Sequence, residues 1–460
     1  MSASPVLDQR RSGVLVHPAA LPGEHGAFGR AARSFVDWLA SAGFSVWQVL
    51  PLGPVGADRS PYWVRSDQAG NPLLIDRSEA PNAEQSRVAF EDFCGAQQSW
   101  LDDYVLFAAL SRAHDAAPWW TWPQPLRERH PDALREAAAR FEPELRALRV
   151  EQWQFASQWS ALRAYASERG VRMYGDLPIY LAPDSAATWS QRAQFQLGAD
   201  GAPKLLAGVP PDYFAADGQL WGNPLYDWEQ ARRDGFAFWR TRVATLLQRF
   251  DLLRLDHFRG LAGYWAVPAQ SRTAREGQWL PAPGETLFAA LTATLGALPL
   301  VAEDLGVITP DVVALRRAFD LPGMRVLQFG FDGAADNPHL AYNFTQRTVV
   351  YTGTHDNDTS LGWYRSLDPA TALRVDSYVG ATQGVGAGAM PEALVRVALA
   401  SVAVLAVVPV QDLLSLGTEA RYNVPGTVGE NWRWRMSEGT LTAGLAAHYR
   451  KLNDTFGRIP

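Results

Sequence analysis

The stretch WRTRVATLLQRFDLLRLDHF, residues 239–258, contains the structural unit from which the fold is predicted. Its first half places Trp239, Val243 and Leu246 on one face of a helix with a period of 3.6 residues. The next part, LLRL, is a short apolar run with the length of a buried β-strand. This predicted strand leads directly into Asp256, so a carboxylate stands where apolar packing would otherwise continue.

The same unit of helix and short apolar strand recurs along the chain. Because eight such strands alternate with helices, the sequence predicts an α/β protein with the fold of a (β/α)8 TIM barrel. The eight apolar runs are GVLVH (13–17), SVWQVLPLGP (45–54), VRMYGDLPIYL (171–181), LLRLDHF (252–258), LPLVAEDLG (298–306), GMRVLQFGF (323–331), TVVYTGTHD (348–356) and LAVVPVQDLLSL (405–416).

The spacing of the predicted strands is uneven. About 120 residues separate the second strand from the third, and about 70 separate the third from the fourth, far more than ordinary connections contain. We therefore predict one catalytic barrel domain over residues 1–460 with two large insertions. An inserted subdomain covers about 55–150, and a lid covers about 182–235, over the C-terminal face of the barrel.

Composition excludes several classes of protein. The 460 residues are 47% hydrophobic and 20% charged, with a net charge of −6 and no cluster of basic residues, so neither nucleic acid nor an anionic membrane is predicted as a partner. The only cysteine, Cys94, excludes an intramolecular disulfide. We read no signal peptide and no membrane span, and we expect a cytoplasmic protein.

Four of the predicted strands carry a carboxylate near their C-terminal ends: Asp176, Asp256, Glu303 and Asp356. In a (β/α)8 barrel these ends converge on the face that holds the active site. For any one of these acids alone, a helix cap or a surface ion pair is the favoured interpretation. As a group they suggest either a divalent-metal site or acid/base chemistry on a glycosidic bond. With no HExxH and no DxDxDG in the chain, we predict no metal and no cofactor.

Cleavage of a glycosidic bond requires one ionised and one protonated carboxyl group. Arg254 lies two positions before Asp256 on the same predicted strand, so both side chains face one side. The guanidinium would therefore keep this carboxylate ionised. Glu303 has no sequence-local cation, which makes it the better candidate for the protonated acid.

A set of motifs gives the chain a close resemblance to a known family, from about residue 12 to about residue 435. The chain resembles the 4-α-glucanotransferases known as amylomaltases or disproportionating enzymes, which form glycoside hydrolase family 77 in the α-amylase superfamily. The motifs are SPY and AGNPLLID (60–76), GDLPIY (175–180), AGVPPDYF and WGNPLY (207–226), RLDHFRG (254–260), AEDLGVITP (302–310), LPGMRVLQF (321–329), YTGTHDNDT (351–359), PVQDLL and GENW.

The resemblance implies an activity and three catalytic residues. A segment of a 1,4-α-glucan would pass to the 4-hydroxyl of an acceptor glucan or glucose by a retaining double displacement. Asp256 would be the nucleophile, Glu303 the general acid/base and Asp356 the stabiliser of the transition state. Maltooligosaccharides and α-1,4-glucans would be both donors and acceptors.

The resemblance also implies a set of substrate-binding residues. These are Tyr62, Asp176, Arg254 and His355 around the sugar at the cleavage point, Tyr213, Phe214 and Trp221 in a mobile loop over 208–224, and Asp304 and Asn431. Asp304 could contact an acceptor sugar or equally form scaffold hydrogen bonds. The role of His257 stays open between a substrate contact and a hydrogen bond behind the site.

Three other functions compete with transfer. An α-1,4-glucan hydrolase of the α-amylase group would use the same acids with water as the acceptor. A non-catalytic glucan-binding barrel would lack at least one of the acids, and all three are present. A metal-dependent barrel enzyme would lose its activity in the presence of a chelator.

Overall fold

The computed structural model describes residues 6–23, 28–211, 216–380, 387–427 and 429–459. Within these ranges the chain forms twelve β-strands. In chain order they are β1 (Arg11–Leu15), β2 (Val46–Gln48), β3 (Arg172–Leu177), β4 (Leu205–Val209), β5 (Gln219–Pro224), β6 (Leu252–Leu255), β7 (Gly263–Pro268), β8 (Gln278–Pro281), β9 (Leu300–Ala302), β10 (Gly323–Val326), β11 (Thr348–Tyr351) and β12 (Leu405–Pro409).

The same ranges contain fifteen α-helices, which separate and flank the strands. They are α1 (Arg30–Ser41), α2 (Arg87–Ala113), α3 (Gln124–Arg127), α4 (Pro131–Arg140), α5 (Glu142–Glu168), α6 (Ala186–Ser190), α7 (Trp228–Arg233), α8 (Ala237–Arg249), α9 (Gly284–Leu295), α10 (Pro310–Ala318), α11 (Ser360–Ser366), α12 (Pro369–Val379), α13 (Met390–Ala400), α14 (Val410–Leu413) and α15 (Ala443–Thr455).

Eight strands form a closed parallel barrel, in the order β1-β12-β11-β10-β9-β6-β3-β2. Seven of the eight predicted apolar runs contain one of these strands and the first, 13–17, overlaps β1, so the predicted TIM barrel is confirmed. The barrel closes between its first and last strands, which pair from Arg11 with Leu405 to Leu15 with Pro409. Nearly all the barrel residues are buried, as expected for parallel strands that are covered on both faces.

Helix α8 and strand β6 show how the sequence unit becomes structure. Trp239, Val243 and Leu246 are buried on the inner face of α8, as the periodicity predicts. All four residues of β6 are buried, because the strand lies between β3 and β9 inside the barrel. The strand ends immediately before Asp256, which places this carboxylate at the C-terminal rim.

The long connection between β2 and β3 has its own apolar cluster. Helices α2 and α5 lie against each other and enclose a group of buried aromatic and aliphatic side chains. The largest of these side chains are the tryptophans Trp100, Trp119, Trp122 and Trp189. Trp189 belongs to α6, so the next connection contributes to the same cluster.

A second sheet stands outside the barrel, with the order β5-β4-β7-β8 and antiparallel pairing. Strands β4 and β5 lie in the connection between β3 and β6, where a lid is predicted. Strands β7 and β8 come from the connection between β6 and β9. This connection is not one of the two predicted insertions. Strand β7 pairs with β4 on one side and with β8 on the other, so the sheet joins two connections that are separate in the sequence.

No helix in the described part of the chain is long and apolar enough to cross a membrane. The most apolar stretch, residues 397–410, divides between the end of α13 and strand β12. It thus forms the end of a core helix and, after a short connection, a barrel strand.

Candidate active site

Four acidic residues stand at the C-terminal ends of four barrel strands. Asp176 is the penultimate residue of β3, while Asp256 and Glu303 directly follow β6 and β9. Asp356 lies five residues beyond the end of β11. In this fold the strand ends form one face, so four separate sequence segments contribute to one site.

The buried side chain of Arg254 connects two of these acids. One guanidinium nitrogen, Nη1, donates to Asp176 Oδ2 at 2.8 Å, and Nη2 lies 2.7 Å from Asp256 Oδ1. The ion pair expected from the spacing on β6 is therefore present. Asp176 Oδ2 also accepts a hydrogen bond of 2.7 Å from the hydroxyl of Tyr62.

Glu303 has a different environment from Asp256. Its carboxylate accepts hydrogen bonds from the backbone N–H groups of His257, at 2.7 Å, and Leu305, at 2.9 Å. Burial, together with the nearby charge of Asp256, raises the pKa of Glu303 to about 7, against the opposing effect of Arg254. The site thus combines a carboxylate that is ion-paired with Arg254 and a carboxyl group that holds its proton up to a pH of about 7, the asymmetry that acid/base cleavage requires.

Asp356 is held by residues that sequence reasoning missed. Its Oδ1 accepts a hydrogen bond of 2.6 Å from the amide of Asn423, and its backbone carbonyl accepts one of 2.6 Å from Arg421. Its Oδ2 lies 3.3 Å from Nε2 of His355. Asn423 and Arg421 follow the last barrel strand by more than ten residues, so no local pattern connects them with Asp356.

An aromatic group borders the site next to Asp176. The rings of Tyr62 and His355 are stacked, with centroids 5.1 Å apart and an angle of 14° between their planes. Trp432 lies 6.0 Å from each of these rings. Trp432 belongs to the GENW motif, but nothing in the sequence indicates that its ring lies beside Tyr62. The tertiary fold brings the two rings together.

The structure places His257 behind Glu303. Its backbone is in the left-handed region, with φ 48°, and its backbone N–H binds the Glu303 carboxylate. Its ring contacts Trp221 edge-on, with centroids 4.7 Å apart. Burial lowers the pKa of His257 to about 4, so the imidazole is neutral near pH 7. The hydrogen bond to Glu303 comes from the backbone, and Nε2 of the ring is buried without a hydrogen-bond partner among the described residues, so the role of the side chain stays a prediction.

The remaining predicted residues are divided between the site and its surroundings. Trp221 lies on β5, and its ring contacts the ring of His257 at the rim of the barrel. Asp304 is buried, accepts a hydrogen bond of 2.7 Å from Met324 N and pairs with two arginines. Asn431 is bonded to the backbone of Val424 and Thr427 in its own loop. Tyr213 and Phe214 lie outside the described residues.

The described residues contain no group of three or more His, Cys, Asp or Glu side chains that could hold a metal ion. The side chains collected at the barrel rim are instead engaged with one another and with Arg254. Acids, a cation and aromatic rings are therefore the groups that this site offers to a substrate.

Two carboxyl groups with different environments stand at the strand ends of a closed parallel barrel, one paired with an arginine and one with a raised pKa. These features define a class of TIM-barrel enzymes with acid/base chemistry. The family model described as 4-alpha-glucanotransferase matches residues 16–85 and 77–442. The chain therefore belongs to the 4-alpha-glucanotransferase family, glycoside hydrolase family 77.

Relatives named 4-alpha-glucanotransferase are similar over almost their full length. The protein from Thermus thermophilus is 45% identical, covering 98% of this chain and 99% of its own. The protein from Synechocystis sp. is 42% identical, with the same two coverages. The chloroplastic/amyloplastic protein from Solanum tuberosum is 38% identical, covering 98% of this chain and 87% of its own.

Solved structures show the same fold. The amylomaltase from Streptococcus agalactiae in complex with acarbose has a TM-score of 0.93 and 31% identity, covering 98% of this chain and 100% of that chain. The α-amylase from Anoxybacillus, at 10% identity and a TM-score of 0.53, shares the fold alone, covering 99% of this chain and 80% of its own.

Proposed function

We propose that this protein transfers segments of 1,4-α-glucans, with Asp256 as nucleophile, Glu303 as general acid/base and Asp356 as transition-state stabiliser. The observation that carries the proposal is the contrast between two neighbouring carboxyl groups. Asp256 is ion-paired with Arg254, whereas the pKa of Glu303 is raised to about 7. A retaining mechanism needs this division of roles.

In the first step Glu303 donates its proton to the glycosidic oxygen as the bond to the anomeric carbon breaks. The carboxylate of Asp256 attacks that carbon from the opposite face, giving a β-linked glycosyl-enzyme and releasing the shorter glucan. Glu303 leaves this step ionised. The two backbone N–H groups that bind its carboxylate then stabilise the charge that it has gained.

In the second step the ionised Glu303 removes the proton from the 4-hydroxyl of an acceptor glucan. The hydroxyl oxygen attacks the anomeric carbon, the ester bond to Asp256 breaks, and the α-1,4 configuration is restored. Asp356, held by Asn423 and His355, would bind hydroxyls of the sugar as the oxocarbenium-like state forms.

The side chains around these acids would hold the sugar at the cleavage point. Asp176 and Tyr62 are fixed by their mutual hydrogen bond, and His355 stacks on Tyr62. Trp221 would contribute to a lid that keeps water away from the glycosyl-enzyme, since transfer requires the acceptor to react before water does. A contact of Tyr213, Phe214, Asp304 or Asn431 with the substrate remains a prediction.

Transfer is favoured over hydrolysis by the family to which the chain belongs. Incubation with maltotriose distinguishes the two activities. Transfer makes oligosaccharides longer than maltotriose and leaves the number of reducing ends unchanged, whereas hydrolysis makes only shorter products and increases that number. An increase in reducing ends without longer products would favour the hydrolase.

Two variants test the catalytic assignment in the same assay. Asp256→Ala removes the nucleophile and should abolish nearly all transfer. Glu229→Gln, which alters an exposed carboxylate on α7, is the control and should keep full activity. Near-full activity of Asp256→Ala would contradict the assignment.

The domain organisation and location extend this proposal. We infer one catalytic domain over residues 1–460, with a subdomain inserted at about 55–150 and a lid at about 182–235. The cluster around α2 and α5 and the sheet containing β4 and β5 support the two insertions. We also infer a cytoplasmic location, supported by the single cysteine and testable by cell fractionation.

A further inference from the structure

Arg242 of α8 is a buried cation that joins two segments of the site. Its side chain is 1% exposed. Its Nε donates a hydrogen bond to Asp67 Oδ2. Its Nη2 donates to the carbonyl of Pro178, and its Nη1 donates to the carbonyl of the residue after Pro178, at 3.0 Å. Asp67 follows Tyr62 by five positions, and Pro178 follows Asp176 by two. Arg242 therefore ties the loop of one site residue to the strand end of another.

A small cavity lies between these two segments. Its volume is about 20 Å³, and Tyr62, Asp67 and Asp176 are among the residues that line it. The side chains of Asp67 and Asp176 are 6% and 0% exposed. Oδ1 of each carboxylate is buried and accepts no hydrogen bond from the described residues, while Oδ2 of each is bonded to an arginine.

Both carboxylates that line the cavity are already paired with a cation. Asp67 pairs with Arg242 and Asp176 with Arg254, and Arg249 also lines the cavity. An occupant therefore needs no positive charge of its own. It must donate a hydrogen bond to each of two carboxylate oxygens and fit a space of about 20 Å³. A single water molecule meets both requirements.

We propose that this cavity holds one internal water molecule that donates hydrogen bonds to Asp67 Oδ1 and Asp176 Oδ1. Through this water, Asp67 acts as a positioning residue for Asp176. The inference rests on the proposed function, because only there does Asp176 belong to the substrate site.

The position of Asp176 affects two other site residues. Its Oδ2 accepts hydrogen bonds from both Tyr62 and Arg254, and Arg254 in turn pairs with Asp256. A shift of the Asp176 carboxylate would therefore move the cation that faces the nucleophile. Small displacements of this kind lower the rate of the chemical step.

A crystal structure of the full chain at high resolution tests the water directly. We expect a water oxygen at about 2.6–3.2 Å from both Oδ1 atoms, the ordinary hydrogen-bond range. A dry cavity, a metal ion in this place or direct contact between the two carboxyl groups would overturn the proposal. This measurement uses the unaltered protein and is independent of the stability of any variant.

Two substitutions of Asp67 test the positioning role by steady-state kinetics on maltotriose. Asp67→Ala removes the oxygen that binds the water and should lower kcat about tenfold. Asp67→Asn keeps an acceptor for Arg242 and a polar group towards the water, so kcat should stay within about threefold of the unaltered protein.

Asp184→Ala is the matched control for a loss of stability alone. Asp184 pairs with Arg65, which lies two positions before Asp67 in the same loop. Asp184 does not line the cavity. We expect this variant to lower the melting temperature as Asp67→Ala does but to keep kcat. Equal kcat values for Asp67→Ala and Asp184→Ala, or an equally low kcat for Asp67→Asn, would overturn the positioning role.

The two proposals fail in different ways. If the unaltered protein makes no longer oligosaccharides from maltotriose, the proposed function is wrong, whatever the cavity contains. If it makes them and kcat does not respond to Asp67→Ala, only the positioning role is wrong.

Discussion

The raised pKa of Glu303 predicts how transfer depends on pH. A carboxyl group with a pKa of about 7 is protonated below that pH and loses its proton above it. Because bond cleavage requires the proton, kcat/KM should fall as the pH rises through about 7. The measurement is kcat/KM for maltotriose across the neutral range, and a profile that stays flat there would contradict the assignment.

Glu303→Gln tests the same residue without titration. The amide cannot donate the proton, so transfer from maltotriose should be nearly abolished. A glycosyl fluoride donor has a leaving group that needs no protonation, and the first step should then retain much of its rate. Fluoride release by the variant measures this step. Equal loss with both donors would show that Glu303 has another role.

At the scale of elements, the loop after β11 is held at both ends by Asp412. Its Oδ2 accepts hydrogen bonds from the hydroxyls of Thr352, at 2.5 Å, and Ser360, at 2.7 Å, and its Oδ1 accepts one from Ser360 N at 2.7 Å. His355 and Asp356 lie between these two anchors. A single buried carboxylate on α14, the short helix after β12, thus fixes the loop that carries the third acid.

Asp412→Asn should lower kcat about tenfold, because an amide nitrogen in place of Oδ2 cannot accept the two hydroxyl hydrogen bonds. Asp368→Asn is the control, since it makes the same chemical change at the exposed N-terminal cap of α12. Maltotriose kinetics measures both variants. Similar kcat values for the two would contradict the anchoring role of Asp412.

Strand β5 connects the outer sheet to the site through Trp221. The ring packs edge-on against His257, whose backbone N–H binds Glu303. Trp221→Ala should let water reach the glycosyl-enzyme and increase the share of hydrolysis several-fold. New reducing ends per transfer event are the measurement. Trp279→Ala, a change to an exposed ring on β8 of the same sheet, should leave this ratio unaltered.

At the scale of the whole molecule, the barrel closes where its first and last strands, β1 and β12, pair with each other. Arg458 stabilises this junction. The buried guanidinium donates to five backbone carbonyls, those of Arg11, Ala398, Leu399, Ser401 and Ala403, at 2.8 to 3.2 Å. One of these carbonyls belongs to β1. The other four belong to the end of α13 and to the connection between α13 and β12. One residue near the C-terminus therefore joins both ends of the barrel.

Arg458→Met should lower the free energy of unfolding by about 2–5 kcal/mol, because buried carbonyls lose their donors. Denaturant-induced unfolding gives the value. Arg450→Met is the control from the neighbouring helix α15, where the side chain is exposed and makes one bond of 3.4 Å to the carbonyl of Ala40. An equal change in both variants would contradict the closure role.

The sequence by itself determined the barrel and its three acids. Eight short apolar strands alternate with amphipathic helices, and this periodicity is a local property that each segment carries alone. The pairing of Arg254 with Asp256 was equally readable, because residues two apart on a strand face the same side. The roles of the three acids remain predictions, which rest on the resemblance of these motifs to those of the family.

Only the tertiary structure decided what surrounds those acids. Asn423, Trp432 and the Asp67–Arg242 pair come from segments far apart in the chain, and no local pattern relates them to the residues that they contact. The outer sheet likewise joins strands from two different connections. Periodicity reports which face of an element is buried, whereas contacts between distant elements depend on how the closed barrel brings the strand ends together.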